Sequence, residues 1–157
     1  MKAGRFTVRR ISPADIPVLL QITEDCRLSP WSEDDYIEEA KRIDSIMLCL
    51  ESAAGETVGF LVGRRVMSPS SVQKYDADLY NIGVKAKFQK RGCGRMLLNR
   101  FLELCRREKV NNVWLDVRFS NKNAIQFYKK FCFVEHTVRT RFYSDPTEDG
   151  IVMKLTL

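Results

Sequence analysis

A chain of 157 residues, 45% hydrophobic and 29% charged, has the make-up of a single domain spanning 1–157 that can bury a core without disulfides. The formal net charge of +6 favours an anionic partner such as a phosphorylated cofactor. Basic residues are scattered among acids without a recognition motif, which argues against direct nucleic-acid binding. No window reaches the roughly 20 apolar residues that span a bilayer. Residues 1–8 alternate polar and apolar instead of carrying a signal peptide's apolar core, so no membrane association and a cytoplasmic location are expected.

In chain order, residues 6–11 read as a strand. Ser12-Pro13-Ala14-Asp15 reads as a helix start, with Ser12 as cap, Pro13 at the first helical position and Asp15 reaching back. That helix runs to about Cys26. Leu28-Ser29-Pro30-Trp31 is a loop, and Ser32-Glu33-Asp34-Asp35 opens a second helix through about Arg42. The β-rich runs 45–51 and 57–66, joined by a glycine-containing turn, form a hairpin signal. After a polar loop comes a strand ending at Val84. A helix over 95–108 places Leu97, Leu98, Phe101, Leu102 and Cys105 on one face, with Arg100, Glu103, Arg107 and Glu108 on the other. A strand over 112–117, a helix capped by Asn121, and two strands at about 133–140 and 149–156 complete the order. This is an α/β fold: one mixed, mostly antiparallel twisted sheet of about seven strands with about four helices, and a parallel join beside the 95–108 helix.

The five cysteines (Cys26, Cys49, Cys93, Cys105 and Cys132) are odd in number and widely spaced, without a C-x-x-C pair. Most are expected to be reduced, buried and small-apolar in role, and no metal site is expected. Cys93 is either an exposed, oxidisable thiol or a spacer, because it lies in the most informative stretch of the chain. Gln89-Lys90-Arg91-Gly92-Cys93-Gly94 joins a strand to a strongly amphipathic helix. Glycines at a helix mouth leave N–H groups uncovered, and the helix dipole adds partial positive charge, a combination that holds a phosphate or pyrophosphate. Lys85, Lys87, Lys90, Arg91 and Arg95 add charge around it.

From residue 79 onward the chain resembles the GNAT superfamily of acyl-CoA-dependent N-acyltransferases. Gln89-x-x-Gly92-x-Gly94 matches the family's phosphate loop. Asp116 to Ile125, then Phe127-Tyr128 and Phe131-Cys132-Phe133, resembles its carboxylate strand, Asn-capped helix and tyrosine segment. Ser29 to Glu33, Arg139 to Tyr143 and Glu148 to Met153 are similar to the ribosomal-protein-alanine N-acetyltransferase branch. The resemblance implies splayed central strands that hold acetyl-CoA. The pyrophosphate would sit on amides within Gln89, Lys90, Arg91, Gly92, Cys93, Gly94 and Arg95. Pantetheine would run along Ile82, Gly83 and Val84, with a further contact from Asn121. It also implies Asp116 as general base, Tyr128 as general acid, and Trp31, Arg141 and Tyr143 as residues that bind the acceptor.

The chemistry suits such residues. A terminal α-amine with pKa about 7.7–8.0 is partly neutral at pH 7, whereas lysine near 10.4 is almost wholly charged. A carboxylate collects the departing proton, a tyrosine serves the leaving thiolate, and the Val84 amide offers an oxyanion donor. Asp116 shares a strand face with Trp114 by alternation. The branch usually has glutamate there; the shorter side chain withdraws the carboxylate by roughly 1.5 Å and favours a water relay. It also has glycine at the position of Cys132. Each residue has a structural alternative: Asp116 as loop or cap ligand, Tyr128 as a packed ring, Trp31 as packing, Arg141 and Tyr143 as plain strand residues. His136, the only histidine, reads as surface or structural.

The function expected is direct acetyl transfer, in a ternary complex and without a cysteine acyl-enzyme, to a protein N-terminus, with a ribosomal protein's alanine as favoured acceptor. A lysine or small-amine acceptor is the alternative within the enzyme class, and a non-catalytic acyl-CoA sensor the alternative outside it. A monomer or weak dimer is expected.

Overall fold

The computed structural model describes residues 5–157, so the reading of residues 1–4 lies outside it. Seven strands form one sheet: β1 (Thr7–Arg10), β2 (Ser45–Glu51), β3 (Thr57–Met67), β4 (Tyr75–Val84), β5 (Val110–Arg118), β6 (Val134–Tyr143) and β7 (Glu148–Thr156). Their order across the sheet is β1-β2-β3-β4-β5-β7-β6. Every neighbouring pair is antiparallel except β4 and β5, which run parallel and are joined through helix α3 (Cys93–Arg107). This is the mixed, mostly antiparallel α/β sheet that the element order implies.

β2 and β3 are nearly continuous apolar runs because helices cover both of their faces. Leu48, Leu50, Val58 and Leu61 join the core beneath α3, where Leu97, Leu98, Phe101, Leu102 and Cys105 are buried. Met47, Cys49, Phe60 and Val62 face the opposite way, toward α1 (Ile16–Asp25) and α2 (Glu33–Ala40). Helix α4 (Lys122–Lys130) adds Ile125 and Tyr128 to the α3 side. Among the described residues no helix packs on the α1 side of β5, β7 and β6, and a cavity opens there.

Local details depart from the reading at several points. Pro13–Asp15 is a 3-10 turn and α1 proper starts at Ile16. Ser12 sits at the N-cap in a capping box and Asp15 reaches back as expected, its carboxylate accepting from the Ser12 N–H at 2.8 Å and the Ser12 hydroxyl at 3.1 Å. At α2 the reciprocal capping box forms as expected, although the helix stops at Ala40. Cys132 is exposed, against the expectation for most cysteines. It has φ of 68° just past α4, where its N–H reaches the Lys129 carbonyl. That left-handed helix-end position is one that glycine usually fills.

Asp15 ties three elements together. Its two oxygens accept from the Arg9 guanidinium, each at 2.8 Å, and from the Thr57 hydroxyl at 3.1 Å, joining β1, α1 and β3. These bonds, Arg9's first, hold the Asp15 carboxyl far below the usual carboxylate range against the opposing effect of burial. A depressed folded-state pKa stabilises the fold at pH values above the unfolded pKa, about 3.9, and the contribution fades as pH falls toward the folded value. Asp15→Asn should therefore cost about 1–3 kcal/mol in urea unfolding at pH 7. The gap from wild type should narrow steadily below about pH 4. A gap that stays constant down to pH 3 would show that Asp15 acts by shape and not by charge.

Candidate active site

β4 and β5 pair only from Tyr75 and Val110 to Leu79 and Leu115. Beyond that point they part, and a bulge in β4 accompanies the parting. Val62 of β3 pairs with Asn81 and Gly63 with Leu79, which leaves Tyr80 as an extra residue. The bulge resets the alternation of faces. Before it, Ala77 and Leu79 turn to the α3 core, so Asp76, Asp78 and Tyr80 face the α1 side. After it, Ile82 and Val84 turn to the α3 core, and Asn81 donates to the Ser29 carbonyl in the α1–α2 loop at 3.3 Å.

The Lys85 N–H donates to the Val58 carbonyl of β3 at 2.8 Å. By alternation the backbone groups of Val84 and Ile82 turn the other way, into the gap between β4 and β5. The Val84 carbonyl accepts there from Gln89 Nε2 at 2.8 Å and Cys26 Sγ at 3.3 Å, while its N–H faces the gap. Gly83, in register with Phe60, turns its backbone groups to β3 by the same alternation. A Cβ at Gly83 would lie 2.8 Å from Ile22 Cγ2 and 2.9 Å from Leu28 Cδ1, so this glycine admits α1 to the sheet. Of the three residues expected along the pantetheine, Ile82 and Val84 present backbone to the gap.

Helix α3 opens at Gly92, whose φ is 80°, and it begins at Cys93, two residues before the expected start. No side chain caps it and its first turn carries no acid. The first intrahelical bond runs from the Met96 N–H to the Gly92 carbonyl at 3.0 Å. The amides of Cys93, Gly94 and Arg95 are thus left uncovered at the positive end of a 15-residue dipole. Lys90, Arg91 and Arg95 are exposed around them. The Cys93 side chain is buried in the core, and burial pushes its thiol pKa up, which settles the spacer reading and not the exposed thiol. Asn121 Oδ1 accepts from the Ala124 N–H at 3.1 Å and caps α4.

On the α1 side of the same junction lies an open cavity of about 460 Å³, lined among others by Asp78, Tyr80, Trp114, Asp116 and Arg139. Trp114 and Asp116 share it, as their alternation on β5 requires. Asp116 accepts from Arg139 Nε at 2.9 Å. Asp76, buried at its base, accepts from Trp114 Nε1 at 2.8 Å and Asn112 Nδ2 at 3.2 Å. Burial, then the charges of Asp116 and Asp76, push the Asp78 carboxyl above its ordinary pKa, with Arg64 and Tyr80 acting against them.

Tyr128 is buried between the rings of Phe127 and Phe133, at 5.4 and 5.6 Å. Burial raises its pKa well above the ordinary tyrosine value, and Tyr143 adds to the effect. Burial likewise pushes Tyr143 up to about 12, with help from Asp116. Arg118 lies over the Tyr143 ring at 4.5 Å. Tyr143 thus lies within electrostatic reach of both Asp116 and Tyr128, although neither tyrosine lines the cavity. Trp31 stands apart from the cavity and meets it through the Tyr80 ring, 5.6 Å away. Arg141 is exposed with φ of 50°, held by its N–H to Asp149 at 2.9 Å, and does not line the cavity.

Sequence reasoning missed Asp76, Asp78, Tyr80 and Arg139. A signal for the first three was present: polar side chains at every second position of a strand whose other residues are core. His136, read as surface or structural, packs edge-on to Trp114 at 4.9 Å and lines the cavity.

A splayed parallel pair thus lies beside an uncapped, glycine-opened helix, with an open, acid-lined cavity on the opposite face. The acetyltransferase (GNAT) family model matches residues 16–133, and the chain belongs to that family. It is an acetyltransferase whose donor is acetyl-CoA. A ribosomal protein bS18-alanine N-acetyltransferase from Salmonella typhimurium is 33% identical over 156 residues, covering 96% of this chain and 97% of the relative. The crystal structure of the ribosomal-protein-S18-alanine N-acetyltransferase from Escherichia coli superposes with a TM-score of 0.82 at 28% identity, covering 97% of this chain and 94% of that one. Arabidopsis thaliana NAA60 in complex with acetyl-CoA shares the fold at 20% identity, with a TM-score of 0.87 and coverage of 98% and 99%.

The residues present fit this donor: open amides suit a pyrophosphate, and the turned-in Ile82 and Val84 backbone suits an amide-bearing arm. Gly92→Asp would set a carboxylate against those amides. It should weaken CoA binding by about tenfold or more in calorimetry. Unchanged affinity would place the phosphates elsewhere.

Proposed function

We propose that this acetyltransferase acts on the terminal α-amine of a protein, with the N-terminal alanine of a ribosomal protein as the acceptor its relatives' names favour. One observation carries the reading. The acceptor cavity sets ionisable carboxylates, Asp116 and Asp78, where β4 and β5 part, on the side of the sheet away from α3. An amine arriving there as ammonium meets negative charge, and an amine with pKa about 7.7–8.0 surrenders its proton to a carboxylate far more readily than a lysine does.

Bound acetyl-CoA supplies the acetyl thioester. The uncovered amides of Cys93, Gly94 and Arg95 would hold its phosphates, and the backbone of Ile82 and Val84 its pantetheine arm. Asp116 takes the amine's proton through a water, since its carboxylate is short and engaged by Arg139. Asp78 is a second collector, poised by its raised pKa. The Val84 N–H is the donor aimed at developing negative charge on the carbonyl oxygen. Tyr128 keeps its proton because burial penalises the phenolate, so its hydroxyl stays a donor for the departing sulfur. The buried thiol of Cys93 has no part in transfer.

Mass spectrometry of acetyl transfer tests this directly, with a peptide carrying an N-terminal alanine and an internal lysine, and the same peptide with its N-terminus blocked. Label is expected on the free α-amine alone. Tyr128→Phe should reduce that turnover by about 10²–10⁴-fold while acetyl-CoA affinity holds. Lysine labelling in both peptides would move the acceptor to side chains. Binding of acetyl-CoA without transfer to any amine would point to a sensor.

A further inference from the structure

Arg64 and Glu39 take no part in the proton and acyl transfer above, yet they pair beside the acceptor cavity, the carboxylate buried and the guanidinium half-buried. Glu39 of α2 has a side chain only 2% exposed, and both of its oxygens accept from Arg64, Oε1 from Nε at 3.1 Å and Oε2 from Nη2. An ion pair built on a buried carboxylate adds little to stability over an apolar pair of the same shape, so its presence calls for another reason. The reason is visible one residue further on. The Arg64 guanidinium lies over the Tyr80 ring, 5.2 Å from its centroid. Tyr80 is the extra residue of the β4 bulge and lines the cavity. Trp31 packs on the same ring, and in turn rests on Tyr36 at 5.3 Å, whose hydroxyl is bonded to Thr23 at 2.6 Å. A bulged residue lacks the full ladder pairing that fixes its neighbours, so its side chain needs support from outside the strand.

We propose that Arg64, clamped by Glu39, is a positioning residue that holds Tyr80 as the acceptor-side wall and so sets acceptor affinity without touching the reacting atoms. The proposal rests on the reading of the cavity as the acceptor's site. It links α2 to the cavity through three side chains: Glu39, Arg64 and Tyr80. It also has an electrostatic consequence. Asp78 is faced by Asp76 and Tyr80 on β4, Asp116 and Trp114 on β5, Arg64 on β3, and His136 and Arg139 across the cavity on β6. Arg64 lowers the Asp78 pKa, so neutralising Arg64 lets Asp78 stay protonated to higher pH.

The test is steady-state kinetics with the acceptor peptide varied at saturating acetyl-CoA. The main variant is the double substitution Glu39→Gln/Arg64→Gln, which removes both charges and leaves no buried carboxylate unpaired. A thermal melt checks its fold. Acceptor KM should rise about tenfold, with kcat within a factor of about two and acetyl-CoA affinity unchanged. The acid limb of the acceptor kcat/KM profile should move to higher pH. Arg64→Lys, which keeps the charge, should leave that limb in place and recover part of the KM. An unchanged KM in the folded double variant would overturn the proposal. So would a parallel loss of kcat and acetyl-CoA affinity, which would mark the pair as general scaffolding. The wild-type control separates the two readings. If it labels lysine side chains and no terminal amine, the terminal-amine reading fails, while the same KM comparison on a lysine peptide still decides the role of Arg64.

Discussion

Two parallel strands that stop sharing hydrogen bonds halfway along leave backbone donors and acceptors that something else must satisfy. In this chain those groups belong to Ile82 and Val84, whose carbonyl is already taken by Gln89 and Cys26, and the parting of β4 from β5 beyond Leu79 and Leu115 organises everything around it. The bulge at Tyr80 swaps which residues face which side of the sheet. Asp78 and Tyr80 therefore reach the acceptor side, whereas the side chains of Ile82 and Val84 pack toward α3 and leave their backbone to the gap. Gly83 lets α1 press close enough to cover the far side of the same segment. The gap between the strands and the acid-lined cavity are thus two faces of one junction.

Charge divides along the same line. The donor side offers uncovered amides, a helix dipole and exposed Lys90, Arg91 and Arg95, all suited to phosphates. The acceptor side gathers Asp76, Asp78 and Asp116, suited to an ammonium. Acidic caps make the contrast sharper: α2 opens on Glu33, Asp34 and Asp35 with a full capping box, while α3 has neither cap nor acid. Ser32 and Asn121 cap α2 and α4, whereas the N-terminal amides of α3 have no side-chain cap, an end suited to a phosphate. The ion pair of Glu39 with Arg64 and the bonds of Asp15 with Arg9 serve geometry, each tying a helix on the α1 side to a strand.

Much of this was legible in the residues themselves. The amphipathic face from Leu97 to Cys105 and the glycines at 92 and 94 announce the helix and its open mouth, because helical period and missing side chains are local properties. Alternation on β5 places Asp116 beside Trp114 without any tertiary knowledge. What stayed hidden was the bulge. A single extra residue leaves no mark in a run such as Leu79-Tyr80-Asn81-Ile82, yet it decides the face of every residue after it. Arg139 and Arg64 were equally out of reach, since their partners Asp116 and Glu39 lie 23 and 25 residues away in sequence. Cys132 was misread because an exposed, left-handed helix end tolerates a residue that composition alone assigns to the core.

The central claim is that the gap between β4 and β5 is the donor site, read by the backbone of Ile82 and Val84 and by the open amides of α3. Amide NMR spectra recorded while CoA is titrated into the protein test it most directly. The account predicts large shifts for the Ile82, Val84, Cys93, Gly94 and Arg95 amides, with new protection from hydrogen exchange at Ile82 and Val84, and little change at Lys85, whose N–H is already bonded to β3. Shifts confined to the exposed basic side chains, with the Ile82 and Val84 amides unmoved at saturation, would contradict it.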